Sequence, residues 1–301
     1  MKIFRKLIIN LVNIADGLIP EKISRKYESS SKLTIYNLHS TSEEFFLKYK
    51  SLLTKLKNEG TFINPANIDD FINNKLPNKS LFLLTIDDGF KNNLNFAKKV
   101  LKPLNIKAIF FVIPKFIKNT NKEINYEYYE SLYPEIKYRL NRKNHNQFIP
   151  LSKENINEIK DLGHTIGMHG LEHENYFNLS EEKIKNNIKK GVKIFSDLDI
   201  NIKHFAYPFG NEKSFNNESN IIIGNHFKYI HSGLRGFNYP RKNKTKFNFL
   251  MRHPISTHDK DLIYYPTNFK EIKFFTLNKI TSLFYSIKRK IKKKSIAAIE
   301  C

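Results

Sequence analysis

Along the middle of the chain, short unbroken apolar runs alternate with longer segments that carry polar and apolar residues together. Residues 33–38, 81–86, 108–113, 164–168 and 203–207 are runs of the first kind and predict strands. The run 81–86 is continuous enough for a strand buried on both faces. Residues 42–56, 90–101, 152–162 and 180–198 predict helices. Their ends carry stop signals: Ser42 precedes Glu43 and Glu44, Gly60 follows the first helix, and Pro103 ends the second. Ser152 and Gly163 bracket the third, and Ser180 precedes the fourth. Strand, helix and strand at this spacing form a βαβ unit, which requires a parallel sheet. Residues 229–232 and 248–252 predict the last strands. Residues 115–150, rich in Tyr, Glu, Lys and Asn, predict a surface insertion with some helix around 126–140.

The two ends have a different pattern. Ile3, Leu7, Leu11, Ile14 and Leu18 form one apolar helical stripe, flanked by Lys2, Arg5 and Lys6. Such a helix either packs on its own domain or lies in a membrane interface. Beyond residue 259 the chain turns basic and ends in Lys288, Arg289, Lys290, Lys292, Lys293 and Lys294, where residues 283–291 permit a basic amphipathic helix. Net charge is +22 and the pI about 9.7. That charge has two readings, a polyanionic partner or a composition biased toward Lys, Asn, Ile and Phe. The basic residues do not interleave with aromatics on a recognisable reading module, so no nucleic-acid partner is expected. An anionic membrane surface suits both ends. No apolar run is long enough to span a bilayer, and no cleavage site follows the first stripe, so neither a transmembrane helix nor a signal peptide is expected. Cys301 is the sole cysteine, which rules out an intrachain disulfide. The expected location is the cytoplasm, or the inner membrane face as a peripheral protein.

The candidate chemistry sits directly after two predicted strands. In parallel α/β folds, ligands gather at the carboxyl ends of the strands. After the run 81–86 comes Asp87-Asp88-Gly89, where one carboxylate can bind a cation and the other accept a proton. The alternative is an Asp-Gly turn in which Asp88 merely caps the next helix. After 164–168 come His169 and His173, four apart, which on one helical turn would face a common metal ion. His164 reads as structural. Asp88 with the two imidazoles is a set suited to Zn²⁺ or a similar ion, with a position left open for water.

These residues resemble the polysaccharide deacetylase family, the NodB-homology or carbohydrate esterase family 4 domain. Its first motif matches Thr85-Ile86-Asp87-Asp88-Gly89, its second His169-Gly170-Leu171-Glu172-His173, and its third Phe205-Ala206-Tyr207-Pro208-Phe209-Gly210. The resemblance implies an α/β fold, a distorted (β/α) barrel of parallel strands with fewer than eight full βα units. It implies Asp88, His169 and His173 as ligands of one divalent ion, Zn first, with Co, Ni or Mn as alternatives. It makes Asp87 the general base, with the oxyanion received near Tyr207 and Pro208. The sequence departs from the family at Gly170, where a hydroxyl residue is usual, at Ala206, where many members place an Arg, and in having no Trp. The fifth motif is best matched by Leu250-Met251-Arg252-His253-Pro254. Adjacent residues on a strand face opposite ways, so only one of Arg252 and His253 readily enters the site. His253 is the expected general acid, and Arg252 the alternative, as an electrostatic partner of Asp87.

The implied activity is removal of an N-acetyl or other N-acyl group from an amino sugar in a glycan or glycolipid; the amphipathic start and the basic tail, not the motifs, would set it beside lipid-linked intermediates of surface-polysaccharide assembly. The expected domains are an amphipathic arm, 1–31, a catalytic domain, 32–258, and a basic tail, 259–301. Two other readings stand beside it. One is a degenerate deacetylase domain that only binds glycan. The other is a zinc peptidase using the His-x-x-Glu-His match, which needs both histidines on a long helix.

Overall fold

A computed structural model describes residues 31–77, 80–117, 126–133, 149–240, 247–258 and 261–263. The amphipathic arm and the helix expected at 283–291 lie outside them. The frame is a sheet of parallel strands: β1 Lys32–Leu38, β2 Thr61–Phe62, β3 Ser80–Ile86, β4 Ala108–Val112, β5 Thr165–Met168, β6 His204–Ala206, β7 Tyr229–His231, β8 Asn248–Leu250 and β9 His253–Pro254. Their order across the sheet is β8-β7-β6-β5-β4-β3-β1-β9, with β2 paired only to the start of β3. An antiparallel pair of strands, Ser256–His258 and Asp261–Ile263, follows.

Strands β8 and β9 occupy the two ends of this path, yet only Met251 and Arg252 separate them in the chain. A linker that short reaches about 10 Å at most, so the sheet must curl until its edges nearly meet. The result is the distorted barrel expected from the motifs.

Side chains alternate across each strand, which divides the core in two. Leu33, Ile35, Leu81, Leu83, Ile109, Phe111, Ala206, Tyr229 and Leu250 fill the inside of the curl. Tyr36, Leu38, Phe82, Leu84, Ile86, Phe110, Phe205 and Ile230 face the helix layer. That layer includes α1 Phe46–Glu59, α3 Asn92–Phe96, α5 Lys153–Asp161, α6 Glu181–Ser196 and α7 Asn217–Gly224, whereas α2 Ile68–Ile72 packs Ile68, Phe71 and Ile72 into the inner cluster and α4 Tyr126–Leu132 belongs to a third cluster with Phe90 and Phe116. The predicted caps at Ser152 and Ser180 are present, with Ser152 in a reciprocal capping box with Asn155. The helix expected from Ser42 opens instead as a short 3-10 turn, and the Ser42 hydroxyl bonds Glu44 rather than the backbone. α2, α7 and β9 were not anticipated. α7 is short, and its apolar residues Ile221, Ile222 and Ile223 run consecutively instead of recurring at helical spacing.

Four buried histidines of the frame are held neutral. His164 Nδ1 accepts the Ala108 N–H at 3.1 Å, a structural role as expected. His204 and His231 meet nitrogen to nitrogen at 3.1 Å within the curl. Burial lowers the pKa of His164 and of His253 to about 4 and of His204 to about 3, and holds His231 well below its ordinary range. The unfolded chain therefore takes up protons first. Stability from these four groups is complete above the ordinary histidine pKa of about 6.5 and is lost as pH falls below it, by up to about 1.4 kcal/mol per pH unit for each. Urea unfolding of chelator-treated protein should show a plateau above pH 7 and a steep fall between pH 6.5 and 4. A stability unchanged from pH 7 to pH 5 would contradict this account.

Candidate metal centre and active site

The site crowns the inside of the curl. Counting by twos along β3 from Leu81 and Leu83 leads to Thr85 and then Asp87, and along β1 from Leu33 and Ile35 to Asn37 and His39. The same parity leads to Arg252 from Leu250. These residues do converge: Asn37, His39, Asp87, Asp88, His169, His173 and Arg252 line one cavity of about 580 Å³.

Asp88 departs from the strand. Its φ is +72° and that of Gly89 +74°, so two left-handed residues in succession turn the chain out of β3. A bulky residue pays for that conformation, and such strain gathers at functional sites. The capping alternative fails, since the N-cap of α3 is Lys91. Instead, Asp88 Oδ1 faces His169 Nε2 at 3.3 Å and His173 Nε2 at 3.5 Å.

The two imidazoles do not share a helical turn. They lie in a loop after β5, with Gly170 at φ +69° and His173 at φ +65°. The loop removes the helix that the peptidase reading requires, and Glu172 points away to Lys115 at 3.0 Å. Gly170 now has a reason. A Cβ there would lie 3.0 Å from Pro208 Cγ and 3.1 Å from Glu174 Oε2, besides the positive φ. The Glu174 carboxylate braces the loop, accepting the N–H groups of Leu171 and Glu172 at 3.1 and 3.0 Å.

Each imidazole is fixed by its other nitrogen. His169 Nδ1 lies 2.9 Å from the Ala206 carbonyl, and His173 Nδ1 lies 2.9 Å from the Ser131 carbonyl. A carbonyl only accepts, so both Nδ1 atoms carry the proton and both Nε2 atoms offer a lone pair toward Asp88. The three candidate ligand atoms lie within 4.8 Å of one another, all on buried residues. Outer hydrogen bonds of this kind are what orient histidine ligands in metal sites. The donor set therefore fits one divalent ion.

Asp87 is buried and pairs with Arg252, whose Nη1 donates to Oδ1 at 2.7 Å. Burial raises its pKa, but the Arg252 charge, followed by those of His169 and His39, holds it below its usual value. Burial raises the pKa of Asp88 too, but the neighbouring imidazoles of His169, His39 and His173 outweigh it and hold the carboxyl well below its usual range. Burial pushes His173 down to about 4. His169 is raised, because the pull of Asp87 and Asp88 exceeds the cost of burial. Arg252 supplies from the β8–β9 link the guanidinium missing at Ala206.

Of three expected residues, His253 and Pro208 do not line the cavity, and Tyr207 lines it with its polar groups already engaged. His253 faces the opposite side of β9, packed near Phe237 and Tyr36 with ring centroids 5.4 and 6.4 Å away, and does not line the cavity. The Tyr207 N–H already donates to the His231 carbonyl at 3.0 Å, and its hydroxyl bonds Asn220 at 2.8 Å. Pro208 packs on Gly170 and has no N–H to offer. In their place stand His39 and Phe209. His39 is exposed at the cavity wall. Phe209, at φ +61°, sets its ring edge-on to His173 at 4.5 Å between centroids.

The polysaccharide deacetylase family profile matches residues 74–224, half of the chain. No curated protein matches the chain. Among solved structures, IcaB from Ammonifex degensii is 20% identical with a TM-score of 0.58, covering 74% of this chain and 91% of its own. The deacetylase PplD from Streptococcus pyogenes, solved with acetate, is 21% identical at TM-score 0.56, covering 75% and 93%. A de-N-acetylase from Aggregatibacter actinomycetemcomitans is 15% identical at TM-score 0.55, covering 74% and 94%. These likenesses are of fold, and they agree with the half-chain profile match: this chain belongs to the polysaccharide deacetylase family, a family of carbohydrate-deacetylating hydrolases.

Proposed function

We propose that the chain is a metal-dependent N-deacetylase that frees the amine of an N-acylated amino sugar within a glycan or a lipid-linked glycan. The observation that carries this reading is the convergence of His169 Nε2, His173 Nε2 and Asp88 Oδ1 beside the Asp87–Arg252 pair. A divalent ion held by the three, Zn²⁺ before Co²⁺, Ni²⁺ or Mn²⁺, supplies Lewis acidity that polarises a carbonyl and lowers the pKa of water. Asp87, kept ionised by Arg252, takes the proton of the attacking water as general base. Water oxygen bonds to the acyl carbon, the C–N bond breaks, and the departing nitrogen must gain a proton to leave as an amine. His39 is the acid this geometry favours, since it borders the cavity and His253 does not. The Phe209 N–H is the donor for the developing oxyanion, because the N–H of Tyr207 is already used. The complete ligand and carboxylate set favours an enzyme over a module that only binds glycan.

Chelator-stripped protein should release no acetate from N-acetylglucosamine oligomers or lipid-linked N-acetyl amino sugars, and Zn²⁺ should restore release. Full activity without metal would end this reading. Asp87→Asn should keep the ion and lose turnover, whereas Asp88→Asn should lose the ion. His39→Gln should lower kcat by roughly 10²–10⁴-fold with metal content intact, and His253→Phe should leave turnover close to that of the parent. The opposite ranking of the two histidines would return the acid role to His253.

The basic ends support a station at an anionic membrane face, where each nearby Lys or Arg adds about 1 kcal/mol. The full chain should sediment with anionic liposomes at low salt and be released at high salt, while residues 32–259 alone should not sediment. Equal binding by both would remove the ends from that role.

A further inference from the structure

α4 belongs to the insertion between β4 and α5, and its contacts run to the proposed metal ligands rather than to the barrel strands. The Ser131 carbonyl accepts from His173 Nδ1 at 2.9 Å. The Tyr128 hydroxyl donates to the backbone carbonyl of Asp88 at 2.9 Å, holding the residue whose φ is +72°. Lys115 ties the two parts together from outside, with its ammonium on Glu127 of α4 and, at 3.0 Å, on Glu172 of the His169–His173 loop. Tyr128 is itself fixed, its ring edge-on to Phe90 at 5.7 Å and to Phe116 at 5.3 Å in a small separate cluster that also buries Tyr129 and Leu132.

We propose that residues 127–133 act as a clasp that sets the orientation of two of the three metal ligands, with Tyr128 as a positioning residue for divalent-ion binding. The inference rests on the metal reading above. It follows from what each contact restrains. Without the Ser131 carbonyl, the His173 ring can rotate about its own bonds and either tautomer can face Asp88. Without the Tyr128 hydroxyl, the Asp88 carbonyl loses its buried donor, and the strained turn loses a hydrogen bond that selects it. Outer hydrogen bonds of this kind raise metal affinity by about 10–100-fold in known sites. In this chain they come from α4, so docking of α4 and uptake of the ion are linked, each favouring the other.

The test uses the full chain, stripped with chelator and titrated with Co²⁺, reading the visible ligand-field absorption of the bound ion. The parent should saturate at about one ion per chain. Tyr128→Phe keeps the ring and removes only the hydroxyl. It should bind Co²⁺ roughly tenfold more weakly and with an altered band, while the metal-free protein melts as the parent does. Lys115→Met, at the surface, should weaken binding in the same direction by a smaller factor, and decides the matter should Tyr128→Phe fail to fold. Parent-like Co²⁺ binding by both variants overturns the clasp, as does a Tyr128→Phe protein with lowered metal-free stability and unchanged Co²⁺ affinity. A parent chain that takes up no Co²⁺ instead overturns the metal reading, and the clasp with it.

Discussion

A carboxylate sealed inside a barrel stays charged only if a cation is sealed in with it, and in this fold Arg252 is that cation for Asp87. Both side chains are nearly inaccessible to water, and removal of either would strand the other as an uncompensated buried charge. The pair also has a structural reach. Asp87 directly follows β3, the third strand in from the β9 edge, whereas Arg252 lies in the two-residue link between the sheet's outermost strands. Arg252 Nε further donates to the Ser232 carbonyl at 2.8 Å, and Nη1 reaches the Thr85 hydroxyl at 3.2 Å. One guanidinium thus ties the closing edge of the curl to the carboxyl end of β3.

Around that tie, the candidate ligand set is assembled by backbone that regular structure would not allow. Asp88, Gly89, Gly170 and His173 all have positive φ. Regular β3 or β5 geometry would send alternate side chains to opposite faces of the sheet. The left-handed turns bring Asp88, one residue past an inward-facing position, round to meet His169 and His173. Glu174 and α4 then stabilise the loop from outside the barrel. Ligand geometry here is a property of loops that a rigid sheet supports.

Most of this frame was legible from the chain. The unbroken runs of β3 and β4 and the motif residues were sufficient for a parallel sheet with chemistry at its carboxyl ends. Period two also distinguishes Arg252 from His253, but only when counting starts from Leu250, whose inward direction the sequence does not reveal. His39 was missed because it follows its strand alone, without a second polar residue to form a motif; counting by twos from Leu33 reaches it. The spacing of four between His169 and His173 suggests a helical turn, which the chain does not form there. Gly170 was the contrary signal, since a glycine between two ligands often marks a left-handed turn. The contacts of α4 were not legible at all, because each has a backbone carbonyl as its acceptor, that of Asp88 or that of Ser131, and a carbonyl leaves no pattern in side-chain identity.

The separation between Asp87 and Arg252 has a consequence for the life of the chain. They are 165 residues apart in sequence. At ribosomal speeds of about 5–20 residues per second, roughly ten to thirty seconds pass between their syntheses. For that interval the strands that bear Asp87 can pair, but the carboxylate has no guanidinium to enter the interior with. The nascent protein therefore has every reason to keep the mouth of its barrel open and hydrated until its last strands emerge. Competence comes late, with the residue that joins the edges.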